Sequence, residues 1–297
     1  MFTFEKKSSL TLAFGLAIFS CAGSAFAEPS MGADTQNGDD ASSSSWFARV
    51  DQTQEEQPHW ITPLVTITPR LEEEYRYDQT MQYKPGNTTL TNYGGGKGLE
   101  LIPSEHVEII IGQPGYQALQ KPNTTTSGWA DETFLVKYRF LAANEEHGNY
   151  IVTGFLGVST PTGNTPFTLN QTMTTPTIAV GKGWGSREKG IDIQSTLGAS
   201  FPDGNQNVIG IPIVWNTALQ AHVSRLFWPE IEASYTHWKD GLLAGKNQLI
   251  MSYGLILGRI PLEGRTKLIL GVAYQASSMT SFSTYGSGWV TSARVAF

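Results

Sequence analysis

The sequence predicts an all-β protein, a transmembrane antiparallel up-and-down β-barrel of about twelve strands. Three observations support this fold class. Polar and apolar residues alternate with the period of a strand, the links between such stretches alternate between short and long, and the last stretch ends on a phenylalanine. The predicted barrel covers residues 60–297, after a cleaved signal peptide at 1–27 and a disordered acidic periplasmic leader at 28–59.

The amino terminus has the features of a secretory signal peptide. Two lysines precede the apolar run Leu10–Ser20, which is too short to span a bilayer, and small residues at 25 and 27 predict cleavage after Ala27. The single cysteine, Cys21, would be removed with this peptide, so the mature chain would have no disulfide and no thiol chemistry. Lipidation at Cys21 is the alternative, which the bulky Phe19 disfavours.

Composition favours a barrel over a helical membrane protein. After the signal no apolar run reaches the roughly 18 residues of a spanning helix, while aromatic residues make up 11% and charged residues 15% of the chain. Residues 28–59 carry seven carboxylates against Arg49 and too little apolar surface to order a segment. The net charge of −6 gives no reason to expect a nucleic-acid partner.

The strands are predicted from their alternating faces. The first, residues 66–78, places charged side chains on one face and Leu71, Tyr75 and Tyr77 on the other, with Glu73 as an exception. Alternation of the same kind recurs at 192–201, 215–223 and 230–236, and apolar faces with small residues between them at 249–257 and 268–274. In a membrane barrel the charged face lines the lumen and the apolar face contacts lipid.

Link lengths predict the barrel topology. Tight links are expected at 103–106, 144–148, 186–190, 224–226 and 262–265, with longer links at 79–91, 112–128, 163–175, 240–246 and 277–285 and a short exception at 204–206. Short turns on one rim and long loops on the other are typical of outer-membrane barrels, and an even strand number brings both ends of the barrel to one rim.

The closing strand covers residues 286–297. Trp289, Val295 and Phe297 share its apolar face, and we expect them to form the membrane-insertion signal that the barrel assembly machinery reads. The alternative for this stretch alone is a soluble β-protein.

Several runs resemble a known family of outer-membrane proteins, grouped as transporters of the MetA pathway of phenol degradation. The resemblance covers roughly residues 60–297 and rests on the runs Thr68-Pro69-Arg70-Leu71-Glu72, Asn92-Tyr93-Gly94-Gly95-Gly96-Lys97-Gly98-Leu99-Glu100, Lys137-Tyr138-Arg139-Phe140, Pro161-Thr162-Gly163 and Gly181-Lys182-Gly183-Trp184-Gly185. These runs are signatures of strands and turns. The resemblance therefore implies a barrel and an uptake role, and hardly constrains the substrate.

No motif indicates a cofactor, a metal site or catalysis. The five histidines have no pair at metal-ligand spacing. Ser234 and His237 resemble the Ser/His pair of membrane-embedded phospholipases. A spacing of three, however, places them on opposite faces of a strand, so they cannot form that hydrogen-bonded pair directly. The glycines at 94–98 lack the order of a phosphate loop, and we expect them to let the strand bend sharply or to make room for a bulky lumenal or loop group.

The sequence therefore predicts an outer-membrane channel for passive uptake of small molecules, including hydrophobic or aromatic ones. Its expected partners are outer-membrane lipid, the assembly machinery and a small-molecule solute. The alternatives are a lipid-modifying enzyme on the same scaffold and a purely structural barrel. The residues predicted to line the pore are Arg70, Glu72, Glu74, Arg76, Glu100, Lys137, Arg139, Asp192, Gln194, Gln220, Glu230, Glu232 and Arg294.

Overall fold

The computed structural model describes residues 38–95, 97–280 and 285–297. The predicted signal peptide, its cleavage site and leader residues 28–37 lie outside this range. Within it the elements are α1 Gly38–Glu55, β1 Glu74–Lys84, β2 Thr88–Tyr93, β3 Gly98–Ser104, β4 Val107–Ile111, β5 Tyr116–Lys121, β6 Thr124–Trp129, β7 Glu132–Ala143, β8 Tyr150–Thr160, β9 Met173–Gly185, β10 Gly190–Ala199, β11 Phe201–Pro202, α2 Gln206–Ile209, β12 Pro212–His222, β13 Phe227–Trp238, β14 Asn247–Pro261, β15 Lys267–Thr280 and β16 Ser287–Ala296.

The strands close into one antiparallel barrel, because β16 pairs with β1 as well as with β15. In three places two strands that are consecutive in the chain together form one interrupted strand of the wall. The pairs are β2 with β3, β4 with β5, and β6 with β7. Counted in this way, and leaving aside the two-residue β11, the described residues form twelve wall strands. The predicted fold class is confirmed.

The interruption between β2 and β3 falls at the glycine run. Gly98 has φ +66°, and a Cβ there would lie 2.3 Å from the carbonyl oxygen of Ile111 on the next wall strand. Only glycine fits this backbone position, so the strand changes direction here.

The two rims differ as expected. Glu74 pairs with Ala296, so β1 starts and β16 ends on the same rim, which we call the terminal rim. The five predicted tight links lie between consecutive strands on this rim. Two predicted long links differ: most of 79–91 belongs to β1 and β2, and 112–128 contains β5 and nearly all of β6. We call the opposite rim the loop rim.

The outer face of the wall is apolar and the inner face polar. Side chains such as Val136, Ile193 and Leu255 are exposed, whereas their neighbours along each strand, such as Lys137 and Gln194, are buried. Exposed aromatic residues lie towards both rims, as in the girdles of membrane barrels: Tyr75, Tyr138, Tyr150, Trp184, Trp129, Trp215 and Trp289. Among the described residues, neither helix is long and apolar enough to cross a membrane.

The region before the barrel differs from the sequence prediction in two respects. Residues 38–55 of the expected disordered leader form α1. The first strand begins at Glu74 and not at residue 66, so residues 66–73 are not part of the wall. Both differences have one cause, described below: this part of the chain contacts the terminal rim and enters the lumen.

An outward-facing charge should destabilise the barrel. Val272 lies near the middle of β15 and is 42% exposed. Val272→Arg should lower the free energy of unfolding in lipid vesicles by about 2–4 kcal/mol, the cost of an arginine at the bilayer midplane. Leu262→Arg, in the exposed β14–β15 turn, is the matched control and should change it little. Equal effects in the two variants would contradict a lipid-facing position for Val272.

Candidate functional site: the occupied lumen

Residues 57–73, which we call the inner segment, run through the barrel interior and form no strand. All are buried except Val65 and Ile67, which are half-buried. A chain in this position has N–H and C=O groups that no β-ladder pairs, and each group left unpaired in the interior costs about 1–3 kcal/mol. The wall side chains must therefore supply the partners.

Two arginines from the closing pair of strands bind carbonyl oxygens of the inner segment. Arg76 of β1 donates to Pro63 O at 3.1 Å and Leu64 O at 2.6 Å. Arg294 of β16 donates to Thr62 O at 2.5 Å and Pro63 O at 3.0 Å. The two arginines lie opposite each other in the β1–β16 register. Barrel closure therefore builds one cationic clamp over three consecutive carbonyls.

A third arginine reaches the start of the inner segment through a distorted strand. Arg259 has φ +55°, which is uncommon for a residue other than glycine, and it lies within an irregularity of the β14–β15 register. Such a bulge re-aims a side chain. Arg259 donates to His59 O and Trp60 O, both at 2.7 Å.

Carboxylates bind the N–H groups of the same stretch. Glu230 accepts from the Leu64 N–H at 3.2 Å, and the two oxygens of Glu232 accept from the Val65 and Thr66 N–H groups at 2.8 and 2.6 Å. Residues 62–66 are thus held by cations on their carbonyls and by carboxylates on their amides.

The end of the inner segment is held by a buried ion cluster. Lys137 Nζ lies 2.9 Å from Glu108 Oε1 and 4.0 Å from Glu100 Oε2, and it donates to Arg70 O at 3.0 Å. The other oxygen of Glu108 accepts from the Glu72 N–H at 2.6 Å. Arg70 and Glu72 pair with each other at 2.9 Å. Two cations and three carboxyl groups therefore lie together inside the lumen, where each buried charge needs a partner.

Amide side chains bind the middle of the inner segment. Gln194 of β10 donates to Ile61 O at 3.1 Å and accepts from the Thr68 hydroxyl at 2.7 Å. It also donates to Asp192 and to Gln220, which in turn donates to Glu230. The amides therefore connect the inner segment to the carboxylates on β13.

Apolar side chains of the inner segment pack where the wall has glycines. A Cβ on the wall at these positions would lie 2.3–2.4 Å from the inner segment, so no side chain fits. The pairs are Trp60 with Gly181, Ile61 with Gly258, and Leu64 with Gly271. Ile256, Ile269 and Val290 complete the apolar cluster around them. The small inner face of β14 and β15 is thereby explained: it makes room for the inner segment.

Helix α1 lies at the terminal rim, where its residues contact the turns. Asp51 pairs with Arg265 at 2.5 Å and Glu55 with Arg187 at 3.2 Å. Val50 packs with Leu71 and Ile102 in a small apolar cluster. Glu73, the exception in the first predicted strand, is 1% exposed and accepts from the Trp46 indole N–H at 2.8 Å and the Ile102 N–H at 2.7 Å.

His59 joins the inner segment to the β7–β8 turn. Glu145 in this turn accepts from the His59 N–H and the His59 Nδ1, both at 2.7 Å. Burial raises the pKa of the Glu145 carboxyl, but these hydrogen bonds outweigh it and lower that pKa to about 2, from the usual 4.5. Because the folded pKa is depressed, the stabilisation is present above pH 4.5 and is lost as the pH falls towards 2.

Acid should therefore loosen the junction of α1 and the inner segment. Between pH 4.5 and 2 the hydrogen-exchange protection of residues 46–59 should fall. Glu145→Gln should show low protection without this pH dependence, because the amide cannot ionise. Glu146→Gln, at the exposed neighbouring position, is the control and should behave like the wild type. Unchanged wild-type protection across this range would contradict the assignment.

Eleven of the thirteen residues predicted to line the pore are buried on the inner face of the wall. They are Glu74, Arg76, Glu100, Lys137, Arg139, Asp192, Gln194, Gln220, Glu230, Glu232 and Arg294. Many of them contact the inner segment directly, and Arg139 donates to Thr53 O at 2.9 Å near the end of α1. The predicted strand positions of Arg70 and Glu72 are wrong, because both belong to the inner segment, so they do not share one face of a strand with Glu74 and Arg76.

The remaining candidates are placed as follows. Trp289 faces outward and is 46% exposed, and Val295 and Phe297 are half-buried at the end of the chain. Unbroken pairing along β13 keeps Ser234 and His237 on opposite faces, and His237 Nδ1 lies 2.7 Å from Asn247 Oδ1. Across the described ranges no three His, Cys, Asp or Glu side chains are arranged to hold a metal ion.

Sequence reasoning missed the inner segment and two of its wall partners, Glu108 and Arg259. One signal was available for the segment. Three prolines, at 58, 63 and 69, remove backbone donors in a short stretch, which is unsuited to a wall strand paired on both sides. The wall glycines at 181, 258 and 271 were visible as well, but nothing local indicates what packs against them.

Comparison with one solved structure supports the fold. A structure described as the COG4313 outer membrane channel from Pseudomonas putida F1 matches with a TM-score of 0.54 and 13% identity, over 75% of this chain and 92% of that chain. The NanC porin gives 0.46 and 10%, over 74% and 98%, and OmpT, an outer membrane protein of Vibrio cholerae, gives 0.32 and 8%, over 75% and 95%. No protein-family profile and no curated protein sequence matches the chain.

Proposed function

We propose that the protein is an outer-membrane channel for passive uptake of small molecules, including hydrophobic or aromatic ones, and that the inner segment closes it at rest. The apolar outer face and polar lumen support a membrane channel. The resemblance of the sequence to MetA-pathway transporters supports uptake, as does the description of the Pseudomonas putida F1 structure as a channel.

One observation carries the proposal: side chains of the wall hold the inner segment, and no β-ladder does. A segment bound in this way can move without breaking the wall. Each hydrogen bond contributes only about 0.5–3 kcal/mol in net terms, so a rearrangement that exchanges them in turn is accessible. A vacated lumen would expose charges of both signs to water, which suits passage without strong ion selectivity.

The same proposal places the protein in the outer membrane, in contact with lipid along its apolar face. Its assembly partner is the barrel insertion machinery, which we propose reads Trp289, Val295 and Phe297. Fractionation of the mature protein with the outer membrane and a heat-modifiable band on gels are the expected results. Recovery of the protein as a soluble periplasmic species would contradict this placement.

Weakening the hold on the inner segment should open the channel. Glu232→Gln removes the charge that binds two N–H groups and leaves one acceptor oxygen. The loss of about 1.5 kcal/mol should raise the open probability about tenfold in single-channel recordings from planar bilayers. Glu263→Gln, in the exposed β14–β15 turn, is the matched control and should behave like the wild type. An assembled Glu232→Gln barrel with wild-type closure would contradict the proposal.

A further inference from the structure

Two carboxyl groups face each other inside the lumen without hydrogen-bond donors. Glu74 of β1 and Glu100 of β3 lie directly opposite each other in the strand register, and they are only 2% and 0% exposed. Side chains at such positions have Cβ atoms about 4.5–5.5 Å apart. Among the described residues, Oε1 of Glu74 and both carboxyl oxygens of Glu100 have no hydrogen-bond partner. We call these two residues the carboxyl pair.

Most other charged side chains around the carboxyl pair form ion pairs with each other. Those ion pairs are Arg70 with Glu72 in the inner segment, Arg76 with Asp78 on β1, and Lys137 of β7 with Glu108 of β4. Lys137 also lies 4.0 Å from Glu100, which is too far for a hydrogen bond. Two cations remain near the carboxyl pair, Lys97 before β3 and Arg294 of β16.

The inner segment takes up hydrogen bonds of both remaining cations. Arg294 donates to two carbonyl oxygens of the segment, and Lys97 donates to Thr66 O at 3.5 Å. Glu230 of β13 also lies near Arg294, but it has a donor of its own in the wall, the amide of Gln220 at 2.7 Å. With the segment in place, no hydrogen bond from a cation reaches the carboxyl pair within the described part of the chain.

This arrangement favours one proton on the carboxyl pair. Two ionised carboxylates at directly opposite positions repel each other, and a buried carboxylate without a donor loses its hydration uncompensated. A single proton relieves both costs, because the protonated carboxyl group donates a hydrogen bond to the ionised one. The closed barrel therefore holds a proton between Glu74 and Glu100.

Movement of the inner segment changes the partners of the same groups. The carbonyl oxygens that bind Arg294 and Lys97 would leave with the segment, and both cations would then have free donors beside the carboxyl pair. Two cations favour the ionised form of both carboxyl groups. The proton would pass to lumenal water, and two ion pairs of the wall would replace hydrogen bonds to the segment.

We propose that Glu74 and Glu100 form a proton switch that holds the inner segment in place at low pH and releases it as the pH rises. The inference rests on the proposed function, in which the segment moves to open the channel. The sign follows from proton counting. The closed state binds one proton more than the open state, so a low pH favours the closed state and a rising pH favours the open state.

The proton can be detected without transport by infrared spectroscopy of the full barrel in lipid vesicles. A glutamate in water is ionised at about pH 5.5, so a protonated-carboxyl band at this pH reports a buried group. Glu74→Gln and Glu100→Gln should each remove the same band, because the new amide donates to the remaining carboxylate. Glu105→Gln, in the exposed β3–β4 turn, is the matched control and should keep it.

Release of the segment can be followed by hydrogen exchange of the Leu64, Val65 and Thr66 N–H groups, corrected for the intrinsic exchange rate. Between about pH 5.5 and 8, wild-type protection should fall by up to about tenfold per pH unit, the limit for one released proton. Open probability in planar bilayers should rise by the same factor. Glu100→Gln should show neither pH dependence, and Glu105→Gln should behave like the wild type.

Each outcome decides one claim. If no band is removed by both single variants, the shared proton is overturned. Wild-type protection that does not fall as the pH rises would overturn the switch and leave the channel proposal intact. Protection that falls with pH, in a barrel that conducts at no pH, would overturn the channel proposal while supporting the switch. The wild type alone supplies the pH dependence, so this test remains even if a variant fails to assemble.

Discussion

The fold depends on one constraint: a stretch of backbone lies inside a closed barrel, where no strand can pair with it. Its carbonyls and amides need hydrogen-bond partners from the wall. Wall side chains provide them, with cationic groups on the carbonyls and acidic groups on the N–H groups. Arginines donate hydrogen bonds to the carbonyls of residues 62–64, and the glutamates of β13 accept hydrogen bonds from the N–H groups of residues 64–66. The polar side chains of the lumen therefore bind the protein's own backbone. If the inner segment moved, the same side chains would become exposed to water.

Packing and charge act on the same segment in different ways. The apolar side chains of residues 60, 61 and 64 fit over wall glycines, where a side chain on the wall would collide with them, and this packing fixes the position of the segment against the wall. The ionic hydrogen bonds fix its direction and register. Helix α1 and the Glu145–His59 contact add a second attachment at the terminal rim. On the side of the wall formed by β8 to β12, the lining changes above the segment from ions to hydroxyl and amide side chains.

The barrel was largely predictable from the sequence and the occupied lumen was not. Period-two alternation and link lengths depend on local physics, which is why the wall strands from β10 onward and the tight turns were recovered. Residues 70–78 alternate in the same way whether they belong to the wall or lie inside it, since charged groups are buried in both cases, so Arg70 and Glu72 were placed on a strand that starts at Glu74. Helix α1 has no apolar stripe, and it is held by ion pairs with distant turns that no local pattern reveals.

The central claim, that the inner segment must move for solute to pass, can be tested with a reversible lock. Leu64 Cγ lies 3.4 Å from the position that a Cβ at Gly271 would occupy, so cysteines at both positions are close enough for a disulfide. In a Cys21→Ser background, which contains no other cysteine, proteoliposomes with Leu64→Cys and Gly271→Cys should pass benzyl alcohol-sized solutes when reduced and none above empty liposomes when oxidised. The single variant Leu64→Cys, which leaves Gly271 in place, should be insensitive to oxidation. Equal flux through the oxidised and reduced double variant, with the disulfide verified by mass spectrometry, would contradict the account.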